Sequence, residues 1–269
     1  MAEVKRKNRA LLPVILILAV VIAVVLIVLI GAIFGLRYVK VASDVKFIGR
    51  TQGGQPVKGT VYYSDGSRAK YDAAAATLTY ANGDVYTGPV KDLLPDGKGK
   101  MVYASGDSYE GDQVRGVITG TGTFRYADGS SYTGDLKDGK KQGYGTYAYA
   151  DGSGYTGYFA DNMRNGVGSA VYANGDQYEG AFTDDLRNGQ GTYTWANGDV
   201  YQGTFEKDVR TGEGTMTWLR EDGTTAESYT GSFVNNTLEG QGTYTWFNED
   251  GTVARIYTGA FSGGLIKAS

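Results

Sequence analysis

Two residue types that enzymes often use for catalysis at neutral pH are missing from this 269-residue chain. It has no histidine and no cysteine, which excludes Ser-His-Asp and Cys-His catalysis, thiolate metal sites and disulfides. Pairs of carboxylates remain, because two acids can hydrolyse glycosides without histidine. The acids, including Asp184 and Asp185, mostly fall in predicted turns, where Asp has an ordinary backbone role. We therefore expect no catalytic residues, no cofactor and no enzymatic activity.

A row of aspartates is the candidate for a cation site. These residues stand at one position of a repeat, at Asp84, Asp107, Asp176 and Asp199. With two strands per repeat their carboxylates should lie about 10 Å apart, whereas calcium ligands lie about 2.4 Å from the ion. One ion cannot bridge them, so we expect no metal. The Gly-x-Gly elements of the chain are not expected to bind phosphate, because no helix follows them.

A repeat of 23 residues organises most of the chain, which contains 42 glycines and 22 tyrosines. The element Tyr-x-Gly recurs with five spacings of 23 residues and then two of 28, starting at Tyr86, Tyr109, Tyr132, Tyr155, Tyr178, Tyr201, Tyr229 and Tyr257. A Gly-x-Gly element keeps step with it, starting at Gly97, Gly120, Gly143, Gly166, Gly189, Gly212 and Gly240. Such a period indicates stacked supersecondary units.

Each repeat reads as a β-hairpin whose aromatic side chains share one face. If residues 196–198 form a three-residue loop, Tyr193 pairs with Tyr201 and Gly191 with Gly203, and the rings lie on the same side. A two-residue loop would send the two tyrosines to opposite faces, so parity selects the longer loop. We expect the strand glycines to leave space for neighbouring rings.

The remaining turns have their own signals. In the 28-residue units the register centres on Asp222-Gly223 and on Asp250-Gly251, which predicts two-residue loops on longer hairpins. Seven residues after each repeat tyrosine stands Gly, Asn or Asp, the residues that tolerate positive φ. Leu93 is the exception, so we expect the first unit to turn differently.

The N-terminal segment is long and apolar enough to cross a membrane. Arg9 and Arg37 enclose 27 uncharged residues, where about 20 suffice. We predict a short basic tail over residues 1–9 and a transmembrane helix over residues 10–36. A core helix would show a polar stripe, and a cleaved signal peptide a shorter apolar run with a small-residue cleavage site. The denser basic flank lies on the N-terminal side, which favours a cytoplasmic N-terminus.

The rest of the chain is acidic. Residues 1–40 carry a net charge of +5 and the remainder −8. This charge argues against nucleic acid and anionic lipid headgroups as partners of the remainder. We predict a stalk or linker over residues 37–58, degenerate capping hairpins over 59–85 and a regular array over 86–269. In this interpretation a single-pass protein of the plasma membrane carries an extracytoplasmic repeat domain.

The pattern YTGDLKDGKKQGYGTY over residues 132–147 closely resembles the MORN repeat (membrane occupation and recognition nexus). The resemblance runs from about residue 78 to 261. Departures are the two long units, Leu93, and Gln113 in place of an aliphatic or aromatic residue. The resemblance implies an all-β fold, an elongated, twisted antiparallel β-meander, here preceded by one transmembrane α-helix. In MORN enzymes catalysis belongs to an appended domain, and we expect none here.

These features favour a scaffold. A sheet with one aromatic face must cover it by curling or by contact with something else, so we expect a membrane-anchored protein that binds a protein partner or a second copy of itself. The alternative is a cell-wall or glycan-binding surface, because sugars stack on aromatic rings. Trp195, Trp218 and Trp246 share one repeat position on the aromatic face, and we expect them to pack in the core. The sequence assigns no ligand-binding residues.

Overall fold

The computed structural model describes residues 2–267, which fall into two compact units. Unit 1 comprises Met1–Ala104 and Val114–Gly116, and unit 2 comprises Ser105–Gln113 and Val117–Ser269. In unit 2 the consecutive strands from Val117 to Ile266 pair antiparallel. In unit 1 the first strands pair in the same way, but a short separate hairpin over residues 90–95 leaves the strand Val85–Thr87 to pair with Gly97–Val102. The predicted all-β class, an antiparallel meander with one helix before it, is confirmed for the described residues.

Unit 1 contains one helix and nine strands. The elements are α1 (Ala2–Ile33), β1 (Leu36–Lys40), β2 (Val45–Gln52), β3 (Gln55–Tyr63), β4 (Arg68–Asp72), β5 (Thr77–Tyr80), β6 (Val85–Thr87), β7 (Val90–Lys91), β8 (Leu94–Pro95) and β9 (Gly97–Val102). Helix α1 covers residues 2–9 of the predicted tail and residues 10–33 of the predicted membrane segment, whose last three residues lie outside the helix. It ends before residue 36 because Gly35 adopts a left-handed φ of 64° and the chain then enters β1.

The C-terminal part of α1 could cross a membrane by length and composition. Leu16–Ile33 has a mean hydropathy of 3.5, and none of this segment is buried against the rest of the protein. A core helix would be mostly buried, so that interpretation does not fit. A membrane anchor and a signal sequence share the remaining properties.

The predicted linker over residues 37–58 is wrong, because this segment forms strands. Strand β1 pairs with β2 and β2 with β3. Gly49 lies opposite Gly59, and a Cβ on either glycine would lie within 3.0 Å of the Phe47 ring. Phe47 is fully buried. Phenylalanine thus takes the place that tyrosine has in the regular repeats, and a search for Tyr-x-Gly misses it.

Leu93 turns like its counterparts, contrary to the expectation. Asp92 and Leu93 have φ values of 53° and 58°, the left-handed conformation also seen at Asp184 and Asp185. Leu93 is buried, and its carbonyl accepts a hydrogen bond of 3.0 Å from the Tyr63 hydroxyl. These contacts offset the cost of positive φ in a residue that rarely adopts it.

Unit 2 is a run of long strands. They are β10 (Ser108–Val114, whose last residue belongs to unit 1), β11 (Val117–Arg125), β12 (Ser131–Lys137), β13 (Lys140–Ala148), β14 (Gly154–Ala160), β15 (Met163–Val171), β16 (Gln177–Thr183), β17 (Leu186–Thr194), β18 (Val200–Glu206), β19 (Val209–Leu219), β20 (Thr225–Val234), β21 (Thr237–Phe247), β22 (Val253–Ser262) and β23 (Leu265–Ile266). The register confirms the parity argument, since Tyr193 lies opposite Tyr201 and Gly191 opposite Gly203.

The two-residue loops predicted for the longer hairpins are wrong. The Arg220 N–H donates to the Thr224 carbonyl at 2.8 Å, which closes a three-residue turn. A β-bulge beside Trp218 absorbs the extra residue and keeps the rings on one face. The Asp222 carboxylate accepts hydrogen bonds from the Thr224 N–H and hydroxyl at 2.9 and 2.7 Å, which stabilises the longer turn. Residues 248–252 repeat this arrangement.

Candidate functional site on the aromatic face

The aromatic face of unit 2 is built on tyrosine rings that cover pairs of glycines. Gly180 lies opposite Gly191, and a Cβ on either would lie within 3.0 Å of the Tyr178 side chain. The Tyr178 hydroxyl donates to the Ala181 carbonyl at 3.0 Å. The same arrangement occurs at Tyr109, Tyr132, Tyr155, Tyr201 and Tyr229. The prediction that strand glycines leave space for rings is confirmed.

Phenylalanines four residues after the tyrosines join neighbouring repeats. Phe182 meets Tyr178 and Tyr155 edge to face, with centroid distances of 5.0 and 5.2 Å. The series of edge-to-face rings continues through Phe159, Phe205, Phe233 and Phe261. Such pairs contribute about 0.5–1.5 kcal/mol each beyond their burial. The repeat tyrosines of this series up to Tyr229 are almost completely buried as a result.

The row of aspartates joins four of the three-residue turns to the next repeat. The Asp176 carboxylate accepts the Ala196 N–H at 2.8 Å. In the same way the backbone N–H groups of Ala104, Ala127 and Leu219 donate to the carboxylates of Asp84, Asp107 and Asp199. These carboxylates therefore serve the backbone. Among residues 2–267 no group of three His, Cys, Asp or Glu side chains could hold a metal ion.

A row of cations joins the two-residue turns. Arg187 donates from Nε to the Asp208 carboxylate at 2.8 Å and from Nη2 to the Asp208 carbonyl at 3.2 Å. Its guanidinium lies 4.9 Å from the centroid of the Tyr193 ring. Lys141, Arg164 and Arg210 occupy the same position in their repeats. This row was not predicted from the sequence, although the four cations are spaced by 23 residues.

A groove of about 650 Å³ opens on this face of unit 2. Its lining includes Trp195, Trp218 and Tyr244, together with Met216 and Arg210. The rings of Trp218 and Tyr244 are stacked at 5.6 Å, and the Arg210 guanidinium lies 5.4 Å from the Trp195 ring. The groove thus offers flat ring faces and a guanidinium to a ligand.

The tryptophans do not pack in the core as expected. Trp195, Trp218 and Trp246 are half-buried, whereas Tyr201 and Tyr229 are completely buried. Their position lies beside the three-residue turns, beyond the series of Tyr and Phe rings, so that part of each indole stays accessible. The replacement of Tyr126, Tyr149 and Tyr172 by Trp at this position in the last repeats is the sequence signal of the change.

Hydrogen bonds set the protonation of the polar groups beside the groove. The Tyr193 hydroxyl donates to Asp176 at 2.5 Å, which holds the pKa of that carboxyl below its usual 3.8. Burial, and then this bond, raises the pKa of Tyr193. Burial and a hydrogen bond to Glu227 raise the pKa of Tyr244 in the same way. At neutral pH both phenols are therefore neutral donors to carboxylates.

Two of the solved structures to which this chain shows a weak similarity are domains in complex with peptide segments. The SAS-4 (dCPAP) TCP domain of Drosophila melanogaster, in complex with a proline-rich motif of Ana2 (dSTIL), is 16% identical and covers 65% of this chain and 92% of its own, with a TM-score of 0.36. The TCP10 domain of Danio rerio CPAP, in complex with a STIL peptide, is 14% identical and covers 75% and 94%, with a TM-score of 0.38. At these TM-scores neither likeness assigns a function. No curated protein sequence matches the chain.

The family model of the MORN repeat matches seven segments of the chain. They are residues 94–108, 109–131, 132–154, 155–177, 178–200, 201–218 and 229–251, more than half of the sequence. The matched segments coincide with the hairpins that carry the tyrosine rings and the glycine pairs. The chain belongs to the MORN repeat family.

Proposed function

We propose that this protein is a membrane-anchored scaffold without catalytic activity that binds a protein partner in the groove of unit 2. The observation that supports the groove as the binding site is that Trp195 and Trp218 are half-buried, whereas the neighbouring repeat tyrosines are fully buried. Large aromatic side chains that keep an accessible face are enriched at binding hot spots. An extended protein segment could place apolar side chains against the rings and an acceptor against Arg210.

The proposed binding is tested with the full chain in detergent micelles and a displayed library of random dodecapeptides. We expect selected peptides to lose at least tenfold in affinity for Trp195→Ala and Trp218→Ala. Tyr144→Ala and Tyr158→Ala are matched controls, because this aromatic pair is 53% and 52% exposed on the opposite face of the sheet. Equal binding to all four variants would show that the groove is not the site.

The proposed anchor is α1, inserted once in the plasma membrane with a cytoplasmic N-terminus and an extracytoplasmic repeat domain. The apolar, unburied segment Leu16–Ile33 supports it. We expect the protein to stay in the membrane fraction after alkaline carbonate extraction. Protease added to intact cells should digest the repeats. Release by carbonate, or N-terminal processing beyond residue 36, would instead indicate a signal sequence.

Self-association through the edge of β22 is a second mode of protein contact. Within the described residues β22 pairs with β21 along its length and with β23 at Phe261 and Ser262. Val253 and Ile256 on this strand are 51% and 59% exposed, and such edges pair with other chains. Analytical ultracentrifugation should show a dimer that Ile256→Lys dissociates. A monomer at micromolar concentration would remove this mode.

Glycan binding remains the alternative function. The accessible faces of the tryptophan rings are the observation that favours it, because sugar rings stack on such faces. A sugar ring stacked on Trp195 or Trp218 would use the same groove. Retention of the full chain on purified cell-wall material, lost in the two tryptophan variants, would favour this alternative over a protein partner. Retention that survives both substitutions would place any glycan contact elsewhere.

A further inference from the structure

Two irregularities of the repeat coincide at the groove. The first is a missing ring: six residues after each cation of the row stand Tyr147, Ala170, Tyr193 and Met216. Tyr193 lies between Tyr172 and Trp195, with centroid distances of 5.9 and 4.7 Å, so its ring continues a row of tilted and edge-to-face aromatic contacts. Met216 supplies no ring between Trp195 and Trp218, and these three residues line the groove.

The second irregularity is a missing carboxylate. Arg164 and Arg187 form ion pairs with Asp185 and Asp208 at 3.1 and 2.8 Å. Arg210 instead faces Asn236, to which it donates from Nε at 3.3 Å and from Nη2 at 3.1 Å. Its Nη1 contacts the Met216 sulfur at 3.7 Å, and no ion pair of Arg210 occurs in the part of the chain that the structure describes.

A repeat of the cation row can have or lack a carboxylate partner for its cation, and can have or lack a ring six residues later. Each of the four combinations occurs once. Arg187 has both a carboxylate partner and a ring at the later position. Lys141 faces the neutral Asn162 but has the Tyr147 ring, 4.4 Å away. Arg164 has a carboxylate partner but Ala170 in place of a ring. The repeat of Arg210 lacks both, and the 650 Å³ groove lies there.

We propose that the groove is a receptor for one planar side chain, Phe, Tyr or Trp, followed or preceded within a few residues by Asp or Glu in an extended segment of a protein partner. The planar side chain takes the place of the missing tyrosine ring beside Met216, and the carboxylate pairs with Arg210. A half-buried guanidinium with neutral hydrogen-bond partners gains more from a carboxylate than an exposed one does. This proposal rests on the proposed function of the groove and specifies its partner.

Two substitutions that copy sister repeats test the proposal without disturbing the fold. Met216→Tyr supplies the ring found at Tyr193, and Asn236→Asp supplies the carboxylate found at Asp208. Asn236 has a φ of 66° and Asp208 one of 69°, so aspartate is compatible with the backbone there. We expect both variants to unfold at or above the wild-type temperature and to bind the selected peptides at least tenfold more weakly.

The probe is a Gly-Ser dodecapeptide that carries one Glu and, two residues later, one Trp, titrated into the full chain in detergent and followed by calorimetry. Matched probes replace Glu with Gln or Trp with Leu. We expect each replacement to weaken binding to the wild-type chain about five- to tenfold. In the Asn236→Asp variant the Glu probe and the Gln probe should bind equally, because Arg210 then already has a carboxylate partner. Equal affinity of all three probes would overturn the proposed specificity.

The outcomes separate this proposal from the proposed function. If dodecapeptides bind and depend on Trp195 and Trp218 but not on Met216→Tyr or on the acid, the groove is a binding site of another specificity and this inference is wrong. If no peptide depends on Trp195 or Trp218, the proposed function of the groove fails as well. Unaltered binding to Met216→Tyr alone excludes the ring as the anchoring group.

Discussion

The contact that defines this protein at the scale of single residues is a tyrosine ring lying on two glycines. The ring of Tyr178 needs the space that side chains at Gly180 and Gly191 would occupy, and its hydroxyl is held by the Ala181 carbonyl. A sheet normally buries such a ring against a second layer. Here the missing side chains let the ring lie close to its own strands, where Phe182 and Arg187 also contact it.

Gly191→Ala should therefore destabilise unit 2 more than an ordinary glycine substitution in a strand. Its Cβ would lie within 3.0 Å of the Tyr178 ring, which must then leave its hydrogen bond to Ala181. We expect a loss of about 2–3 kcal/mol, as for overpacked cores, measured by urea unfolding of the full chain in detergent.

Gly154→Ala is the matched control for this prediction. Gly154 also lies in a strand, but the nearest atom to an added Cβ is the Tyr147 carbonyl oxygen at 3.5 Å. The free energy of unfolding of the Gly154→Ala variant should differ from that of wild type by less than about 0.5 kcal/mol. Equal losses in the two variants would mean that strand propensity, and not space for the ring, explains the glycines.

Gln113 replaces an apolar residue of the buried face. It is 2% exposed, and its Nε2 has no hydrogen-bond partner among the described residues. A buried polar group without a partner costs about 1–3 kcal/mol, so Gln113→Leu, which copies Leu136 of the next repeat, should raise the free energy of unfolding by about that amount. Differential scanning calorimetry tests this. A lower melting temperature for Gln113→Leu than for wild type would contradict it.

At the scale of elements, the strands are joined by two rows of polar contacts in addition to the ladder hydrogen bonds. Asp176 connects its turn to Ala196 and accepts the Tyr193 hydroxyl. Arg187 connects the opposite end of the hairpin to Asp208. The carboxylate contact recurs at four of the turns and the cation contact in four repeats, so the hairpin that carries both is fixed to the next at both ends.

The Asp176 contact should make stability depend on pH. The hydrogen bond from Tyr193 lowers the folded pKa of Asp176 below 3.8, so its stabilisation is complete above about pH 4–5 and is lost as the pH falls through the folded pKa. Asp176→Asn should cost about 1–2 kcal/mol at pH 7, and the difference from wild type should vanish near pH 2. Tyr193→Phe should show the same convergence in thermal melts at pH 7, 4 and 2. A constant difference across this range would contradict the assignment.

The sequence predicted the hairpins and their register because side chains alternate across a strand and one face had to collect the rings. A two-residue loop and a three-residue loop with a bulge place the rings on the same face, so parity could not distinguish them. The hydrogen bonds that Asp222 accepts stabilise the three-residue loop. The strands around Phe47 were not predicted because a phenylalanine ring, and not a tyrosine ring, covers the glycine pair there. The groove was missed because Met216 and Asn236 stand out only when the repeats are compared in their true register.

At the scale of the whole chain, the regular contacts of unit 2 run between neighbouring repeats. Phe182 bridges Tyr155 and Tyr178, and the Arg187 contact reaches the following turn at Asp208. In such arrays stability is approximately a sum of repeat and nearest-neighbour contributions. A complete repeat should therefore be removable if the contacts across the new junction match the old ones.

Deletion of residues 132–154, one complete MORN match, meets this condition. Gly122 would lie opposite Gly157 in place of Gly134, and Phe124 opposite Tyr155 in place of Tyr132. We expect the shortened chain to keep its β-sheet circular dichroism and its peptide affinity, because the groove begins at Asp176. At about 0.05–0.15 kcal/mol per residue, unit 2 should lose about 1–3 kcal/mol.

Deletion of residues 132–143 is the informative control, because it removes fewer residues but breaks the alternation. It would place Tyr144 where Tyr132 was and move Gly145 and Tyr147 one position out of phase. Side chains from that point on would exchange faces, since a slip of one residue reverses a strand. We expect this chain to aggregate or to lose its cooperative melting transition, whereas the chain lacking 23 residues keeps it. If the two deletions behaved alike, the aromatic register would not be what holds the repeats together.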